Sequence, residues 1–269
     1  MITTVMERIV EISHKHKLGH IGSCLTTWPI LEHIYSTKKP DDIIVLSSGH
    51  AGVALYVALE KYEGQNADEL FERHGVHPCR DVDHGIHVSS GSLGSAVLVA
   101  VGMAIGNPKR KVHVILSDGE CAEGSVWEAL SFVKNSGLSN IEFHVNVNGF
   151  SAYAAVDRAY LWLRLKSFLF RVRVWFTATP KSAKFLEGLQ AHYHILTPEH
   201  KDELVNILNA ERLRENSSWN YGQGLARLSD YGRSGLRNIR RYTSGLSGAI
   251  RQYWFERTAD DWDRDGPRL

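Results

Sequence analysis

A strand–helix–strand pattern between Lys111 and Asn148 constrains the fold of this chain more than any other feature. Apolar residues alternate along K-V-H-V-I-L before Asp118, and again along I-E-F-H-V-N-V before Asn148, which predicts two buried strands. Between them, apolar positions at helical spacing predict a helix that Ser125 caps and Gly137 ends. Strands joined through a helix run parallel in a right-handed crossover. The predicted fold class is therefore α/β, with a mostly parallel sheet and helices on both faces.

This topology brings Asp118 and Asn148 together, because the carboxyl ends of parallel strands lie at one edge of a sheet. Carboxylate, amide and backbone carbonyl oxygens are the ligands of a hard divalent cation that also carries a diphosphate. The pattern therefore predicts a site for Mg²⁺ or Ca²⁺. Gly119 has no side chain, so its N–H is expected to approach a phosphate closely. The alternative is a structural turn, since Asp-Gly pairs are common turn formers.

The composition narrows the class of protein. The chain has 269 residues, 43% of them hydrophobic, with a net charge of +1, which fits one α/β core plus an appendage and predicts neither a nucleic acid nor a membrane partner. Three scattered cysteines favour a reducing, cytoplasmic location, and the amino terminus does not have the pattern of a signal peptide. The longest apolar run, residues 93–105, is interrupted by Gly and Ser and is shorter than the roughly 18 residues of a membrane span. It predicts a buried helix instead.

The composition changes after residue 211. From Arg212 to Leu269 all eleven basic residues are arginine, accompanied by Gly, Ser, Tyr and Trp. We predict a core domain over residues 1–211 and an arm over residues 212–269. Arginine and aromatic residues are enriched at interface hot spots, so the arm is expected to lie on another subunit. The alternative is a partly ordered tail.

Six short motifs follow one another in the first 200 residues. They are G-H-I-G at 19–22, L-S-S-G-H-A at 46–51, H-P at 77–78 with H-V-S-S-G-S-L-G at 87–94, S-D-G-E-C-A-E-G at 117–124, T-P-K-S-A-K-F-L-E-G at 179–188 and H-Y-H-I-L-T-P-E-H at 192–200. In order and spacing they resemble the amino-terminal half of the transketolase family. The chain departs from the family pattern at Ile21, where proline is usual, and at Ser117, Ser182 and Ala183, where glycine is usual.

The resemblance implies that thiamine diphosphate is the cofactor, and it implies a role for each matching residue. Implied metal ligands are Asp118, Asn148 and the backbone carbonyl of Phe150. Implied cofactor contacts are His50, Gly91, Leu93, Gly119 and His192. Implied catalytic residues are His20 and His77, which act on protons or on the donor sugar, and Glu123 and Glu128, which join a carboxylate network that links two cofactor sites across a dimer.

The function implied by the resemblance is that of the amino-terminal subunit of a two-subunit transketolase-like enzyme. Such an enzyme transfers a two-carbon ketol unit between sugars or sugar phosphates. The glutamate that activates the cofactor belongs to a pyrimidine-binding domain, which we expect on a separate partner subunit in a heterotetramer. Three alternatives remain open from the sequence: a component similar to 1-deoxyxylulose-phosphate synthase or to 2-oxo acid dehydrogenases, a non-catalytic scaffold of the same fold, and zinc binding by histidine pairs such as His84 and His87.

Overall fold

The computed structural model describes residues 4–168 and 171–215. The helices are α1 (Val5–Lys15), α2 (Ile21–Thr37), α3 (Gly52–Glu63), α4 (Ala67–His74), α5 (Ser95–Gly106), α6 (Gly124–Ser136), α7 (Arg158–Leu165) and α8 (Pro198–Glu215). The strands are β1 (Ile43–Leu46), β2 (Val112–Ser117), β3 (Ile141–Val147) and β4 (Val172–Phe176). The predicted arginine-rich arm, residues 212–269, starts within the last turn of α8, and its residues 216–269 lie outside the described residues.

The four strands form one parallel sheet in the order β1-β2-β3-β4. The prediction of a mostly parallel α/β sheet is thus confirmed. Ile43 pairs with Val112, and Ser117 pairs with Asn146. All six residues of β2 are buried, because helices cover both faces of a parallel sheet.

Two apolar cores lie on the two faces of the sheet. Alternate residues of the strands point to opposite faces, so Ile44 and Ile115 join one core while Ile43 and Val114 join the other. The first core is completed by α1, α2, α3 and α8. The second core is completed by α5, α6 and α7. Helices on both faces therefore hold the strand ends in place.

Helix α6 ends as the sequence predicts but begins differently. Gly137 stops the helix in the left-handed conformation, with φ of 66°. Ser125 was expected to cap the amino terminus, and this is wrong: Glu123 occupies the cap position, without a side-chain capping bond. Ser125 lies inside the first turn, and its hydroxyl donates instead to the carbonyl of Gly94 at 3.2 Å. The serine therefore ties α6 to the loop before α5.

Helix α5 corresponds to the apolar run at 93–105, and it is only half buried. Its inner side packs in the second core through Val97, Ala100 and Val101. Its outer side leaves Leu98, Val99 and Ile105 exposed, together with Phe132 of α6, at 47–53% of their surface. The expectation of a buried, closely packed helix therefore holds for the inner side of α5 and not for its outer side. Within the described ranges, the helices lack the combined length and apolarity needed to cross a bilayer.

Candidate functional site

The candidate site is built on the edge of the sheet where the four strands end, called here the carboxyl edge. The segments that leave this edge are residues 47–51, 118–123, 148–157 and 177–188. Since the strands are parallel, these segments meet at one end of the sheet. They contain or adjoin most of the residues that the sequence singles out.

Asp118 and the segment of Asn148 are in direct contact at this edge. Asp118 is 2% exposed, and its Oδ2 accepts a hydrogen bond from the N–H of Gly149 at 2.7 Å. The amide oxygen of Asn148 accepts the N–H of Phe150 at 2.9 Å. The three predicted metal ligands, Asp118, Asn148 and Phe150, therefore lie on two loops that are hydrogen-bonded to each other.

Burial raises the pKa of Asp118 to about 6, and hydrogen bonds from the N–H groups of Gly149 and Gly119 oppose that rise. A carboxylate removed from water is destabilised in its charged form. A bound divalent cation is a local positive charge that favours the ionised form. The oxygen donor set and its charge therefore fit a hard cation such as Mg²⁺.

The structure gives Gly119 a packing role. Its N–H donates to Oδ1 of Asp118 at 3.0 Å. A Cβ on this glycine would lie 3.3 Å from the Cα of Ser151, so a side chain would push two loops apart. The backbone has ordinary helical angles, with φ of −62°, and lack of space explains the glycine. Contact between Gly119 and a phosphate stays a prediction.

Three histidines from distant parts of the chain meet at the same edge. The ring centre of His20 lies 5.4 Å from that of His50 and 4.3 Å from that of His192, and the last two are 5.9 Å apart. The N–H of His20 donates to the carbonyl of His192 at 3.0 Å. His20 has φ of 61°, a left-handed conformation that costs roughly 1–2 kcal/mol for a residue with a side chain. Strain of this kind concentrates at functional sites.

These histidines are neutral at pH 7. Burial, with the charges of neighbouring histidines, lowers the pKa of His20 to about 4 and that of His50 to about 3. Burial also lowers the pKa of His192. A neutral imidazole carries one N–H donor and one acceptor nitrogen. The group can therefore bind hydroxyl or phosphate oxygens without adding net charge.

His77 and the loop at 89–94 close one side of the site. A Cβ on Gly91 would lie 3.3 Å from Cδ2 of His77, and Gly91 has φ of 143°. Leu93 follows on the same loop and is half buried. Gly49 lies against this loop so closely that a Cβ would be 2.7 Å from Oγ of Ser90. The segments that carry His50 and Leu93 therefore pack directly on one another.

Three buried polar atoms along these segments have no hydrogen-bond partner among the described residues. They are Nδ1 of His20, Oγ of Ser48 and Oγ of Ser90. Buried polar atoms are nearly always paired, so unpaired ones mark a place where a polar ligand fits. The two serines were not identified from the sequence, because an isolated serine in a loop has no pattern of its own.

Among the described residues, Glu123 and Glu128 do not form a carboxylate network with each other or with other side chains. Glu123 lies before α6 and is half buried, whereas Glu128 is exposed one turn later. In the part of the chain that the structure describes, neither side chain has a recorded hydrogen bond or ion pair. Their role in a relay between subunits stays a prediction. The fully buried carboxylate of this segment is that of Glu120, which sequence reasoning did not single out.

Arg158 is a further residue that the sequence analysis missed. Its stem packs under the Asn148 loop, because a Cβ on Gly149 would lie 3.2 Å from Cδ of Arg158. Its guanidinium lies 5.2 Å from the ring centre of Phe176, a cation–π contact. The positive charge helps to lower the pKa of Asp118 against the effect of burial. Arg158 therefore belongs to the electrostatic environment of the candidate metal ligands.

A separate polar cluster lies toward the amino ends of β2 and β3. Ligand atoms of His113, Glu142 and His144 lie within 4.8 Å of one another. The indole N–H of Trp175 donates to Nδ1 of His144 at 3.3 Å, which leaves the proton of neutral His144 on Nε2, 3.3 Å from Nδ1 of His113. Lys111 holds Glu142 at 2.5 Å. Both ring nitrogens of His144, Nδ1 of His113 and the carboxylate of Glu142 are thus engaged in hydrogen bonds, whereas Nε2 of His113 has no hydrogen-bond partner among the described residues. The histidine pairs considered from the sequence are not part of this cluster.

No protein-family model matches the chain. The chain is 35% identical over 157 residues to an apulose-4-phosphate transketolase subunit of Phocaeicola vulgatus, covering 50% of this chain and 55% of the relative. It is 33% identical over 145 residues to a 6-deoxy-6-sulfo-D-fructose transketolase subunit of a Clostridium species, covering 46% of this chain and 52% of the relative. The chain is a relative of the transketolases. It spans about half the length of these two subunits.

Further comparisons agree with this relationship. The chain is 31% identical over 152 residues to 1-deoxy-D-xylulose-5-phosphate synthase of Fusobacterium nucleatum, covering 55% of this chain and 24% of that protein. Transketolase from Leishmania mexicana aligns with 90% of this chain and 46% of its own, with a TM-score of 0.50 and 17% identity. Transketolase from Pichia stipitis in complex with sedoheptulose-7-phosphate aligns with 98% of this chain and 49% of its own, with a TM-score of 0.52 and 15% identity. These structures establish a transketolase fold.

Proposed function

We propose that this chain is the amino-terminal subunit of a two-subunit, thiamine-diphosphate-dependent transketolase. It transfers a two-carbon ketol unit between sugars or sugar phosphates. The observation that carries the proposal is the meeting of buried Asp118 with the Asn148 loop beside the neutral histidines His20, His50 and His192. Relatives named as transketolase subunits support the same assignment.

The cofactor and the metal occupy the carboxyl edge in this proposal. Asp118, the amide oxygen of Asn148 and the carbonyl of Phe150 hold Mg²⁺ or Ca²⁺, which neutralises the diphosphate. Gly91 and Gly119 allow the loops around the ligand to pack closely on one another. When bound, thiamine diphosphate supplies the nucleophilic carbon that takes up the ketol unit, and the protein supplies binding and orientation.

The histidines bind and orient the sugar. Because His20 and His50 are neutral, each donates one hydrogen bond and accepts another. Nδ1 of His20, which has no partner among the described residues, can hydrogen-bond a sugar hydroxyl and accepts its proton in the tautomer that leaves Nδ1 unprotonated. His77 borders the same space from the loop that holds Gly91. Such groups accelerate proton transfer when they lie within hydrogen-bond reach of the reacting hydroxyl.

A separate pyrimidine-domain subunit completes the enzyme in this proposal, most simply as a heterotetramer. Two findings support a partner. The two similar transketolase proteins are named as subunits, and the chain spans about half of each. Helices α5 and α6, which contact each other, expose four large apolar side chains: Leu98, Val99, Ile105 and Phe132. An exposed apolar patch of this kind is typical of a protein interface.

Cysteine chemistry supports a cytoplasmic location. All three cysteines are free: Cys24 and Cys121 are buried and Cys79 is exposed. An exposed free thiol persists in a reducing compartment. We therefore propose that the enzyme works in the cytoplasm.

The nearest competing function is that of a 1-deoxyxylulose-phosphate synthase-like component, which is favoured by the relative in Fusobacterium nucleatum. The name of that relative gives 1-deoxy-D-xylulose 5-phosphate as its product, whereas a transketolase transfers a ketol unit between sugars. The histidines at His20 and His50 suit a polyhydroxylated donor, because they offer hydrogen bonds to several hydroxyl groups. The product that is formed therefore separates the two functions.

The experiment is a ketol-transfer assay with three samples: the chain alone, a candidate pyrimidine-domain partner alone, and both together with thiamine diphosphate and Mg²⁺. We expect transfer from a ketose or ketose phosphate only in the mixed sample. Turnover by the purified chain alone contradicts the two-subunit proposal. Formation of 1-deoxyxylulose 5-phosphate without ketol transfer favours the synthase-like function. A stable complex that binds no cofactor favours the scaffold.

A further inference from the structure

Glu120 lies fully buried where three loops of the carboxyl edge meet. It is 0% exposed. Its Oε1 accepts hydrogen bonds from Oγ of Ser47 at 2.5 Å and from the N–H of Gly94 at 3.1 Å. Its Oε2 accepts the N–H of Ser117 at 3.0 Å. One side chain thus ties together three segments that are far apart in the sequence.

Each of these donors lies on the same loop as a residue of the candidate site. Ser47 precedes the turn that carries His50, Gly94 directly follows Leu93, and Ser117 directly precedes Asp118. The three bonds end on two oxygens of one rigid carboxylate. A shift of any one loop relative to the other two therefore breaks a buried hydrogen bond.

These three bonds satisfy both carboxylate oxygens of Glu120. In the described part of the chain, Glu120 forms no ion pair. A buried polar group that loses a hydrogen bond is left unsatisfied, which is costly, so the three bonds resist movement of the loops.

Ser117 takes part in the same network. Where the family has glycine, the hydroxyl of Ser117 accepts the N–H of Glu120 at 3.3 Å. Ser117 and Glu120 are therefore bonded in both directions, through one backbone N–H and one side chain each. The serine that replaces the family's glycine at this position thus forms a hydrogen bond that glycine could not form.

We propose that Glu120 is a positioning residue that holds the His50, Leu93 and Asp118 segments in register and thereby sets the affinity of the site for its diphosphate cofactor. The affinity part of this inference rests on the proposed function. Glu120 touches neither cofactor nor substrate in this account, and it acts through the three loops.

The test is Glu120→Gln, studied by amide hydrogen exchange on the full chain and by calorimetry of thiamine diphosphate binding with Mg²⁺ in the complete complex. In either orientation, the amide of glutamine places an NH₂ donor against one of the two backbone N–H groups, that of Gly94 or that of Ser117. We expect faster exchange at one or both of these amides. We also expect cofactor binding to be about tenfold weaker, which corresponds to ~1.4 kcal/mol.

The matched control is Val133→Ala. Val133 is buried in the second core near the carboxyl end of α6, so its truncation lowers overall stability without touching the three loops. In this control, exchange at Gly94 and Ser117 should change only as much as global stability does, and cofactor affinity should stay within twofold. If Glu120→Gln behaves like the control, the proposal is overturned.

Two further outcomes are also decisive. If Glu120→Gln does not fold, Ser47→Ala replaces it, since it removes one donor and keeps the carboxylate; a smaller weakening in the same direction supports the proposal, and wild-type affinity and exchange overturn it. If the wild-type complex binds no thiamine diphosphate, the proposed function fails. The exchange data on the cofactor-free chain then still decide whether Glu120 holds the loops.

Discussion

Burial sets the charge of single residues at the carboxyl edge, and it acts in opposite directions on acids and bases. It raises the pKa of Asp118 to about 6 and lowers that of His50 to about 3, because a low-dielectric surrounding disfavours the charged form of each. A nearby cation therefore stabilises the ionised form of Asp118, while the histidines remain uncharged. This combination suits the metal-bound diphosphate and the sugar hydroxyl groups of the proposed function.

Removing the carboxylate of Asp118 tests the metal assignment. We expect Asp118→Ala and Asp118→Asn to weaken Mg²⁺-dependent binding of thiamine diphosphate by about 100-fold, because the diphosphate then lacks the cation that neutralises it. Calorimetry on the complete complex, with and without chelator, measures the change. The matched control is Asp41→Asn at an exposed position before β1, which should bind as the wild type does. Equal affinities in all four proteins, whether or not chelator is present, rule out a metal role for Asp118.

His144 provides a pH test that does not involve the candidate site. Burial lowers its pKa to about 3, with Glu142 opposing this and His113, Arg173 and His33 adding to it. Since an unfolded histidine titrates near 6.5, the unfolded chain binds more protons between these values. The free energy of unfolding should therefore fall as pH drops below about 6.5, by up to ~1.4 kcal/mol per pH unit for this one group.

Urea unfolding of wild type and His144→Gln at pH 7.5, 6.5 and 5.5 measures this effect. The variant should be less stable at pH 7.5, because it loses the packing beside Trp175, but it should lose less stability on acidification. Phe143→Leu, a fully buried neighbour on the opposite face of β3, is the control and should keep the wild-type pH dependence. Identical pH slopes in wild type and His144→Gln would show that His144 is not held neutral by burial.

At the scale of elements, helix α5 has apolar residues on both its buried and its exposed side. Its inner side packs with Val97 and Val101 in the second core, and its outer side exposes Leu98 and Val99. Apolar residues on both sides produce the continuous run seen in the sequence. A monomeric domain needs only the inner side, so the outer side is the surface at which we expect the proposed partner to bind.

Charges on the outer side of α5 should separate assembly from folding. We expect Leu98→Lys together with Val99→Lys to weaken association with a second subunit at least tenfold, because a lysine in an apolar interface loses its hydration. The free energy of unfolding of the chain should change little, since both positions are half exposed. Sedimentation velocity with the partner measures association, and Val82→Lys, at a similarly exposed valine, is the control. Unchanged association would exclude this face from the interface.

The ends of α6 show what local sequence can and cannot predict about an element. Gly137 was predicted as the stop, and the structure agrees, because a glycine in the left-handed conformation is a local property of the chain. Ser125 was predicted as the cap, and the structure disagrees. The Ser125 hydroxyl could bond either to the backbone of its own helix or to a group on another loop. The carbonyl of Gly94 is within reach only because the loop before α5 packs against α6.

At the scale of the whole molecule, one sheet with a core on each face explains why the site lies at the carboxyl edge. Helices cover both faces, so the ends of the strands remain as the places where loops from many parts of the chain meet. The order of four parallel strands puts β2 and β3 at the centre. Asp118 and Asn148 therefore follow the two central strands, with the histidine-bearing segments around them.

The sequence by itself determined the parallel α/β architecture and the placement of Asp118 and Asn148 at neighbouring strand ends. Both follow from local periodicity, since a buried strand, a crossover helix and a second strand leave one topology. Only the tertiary structure decided that Glu120 bonds to Ser47 and Gly94, and that the outer side of α5 is exposed. The physical reason is that alternation and helical spacing are encoded residue by residue, whereas the partner of a buried polar group depends on which distant loops the packed core brings within 3 Å of it.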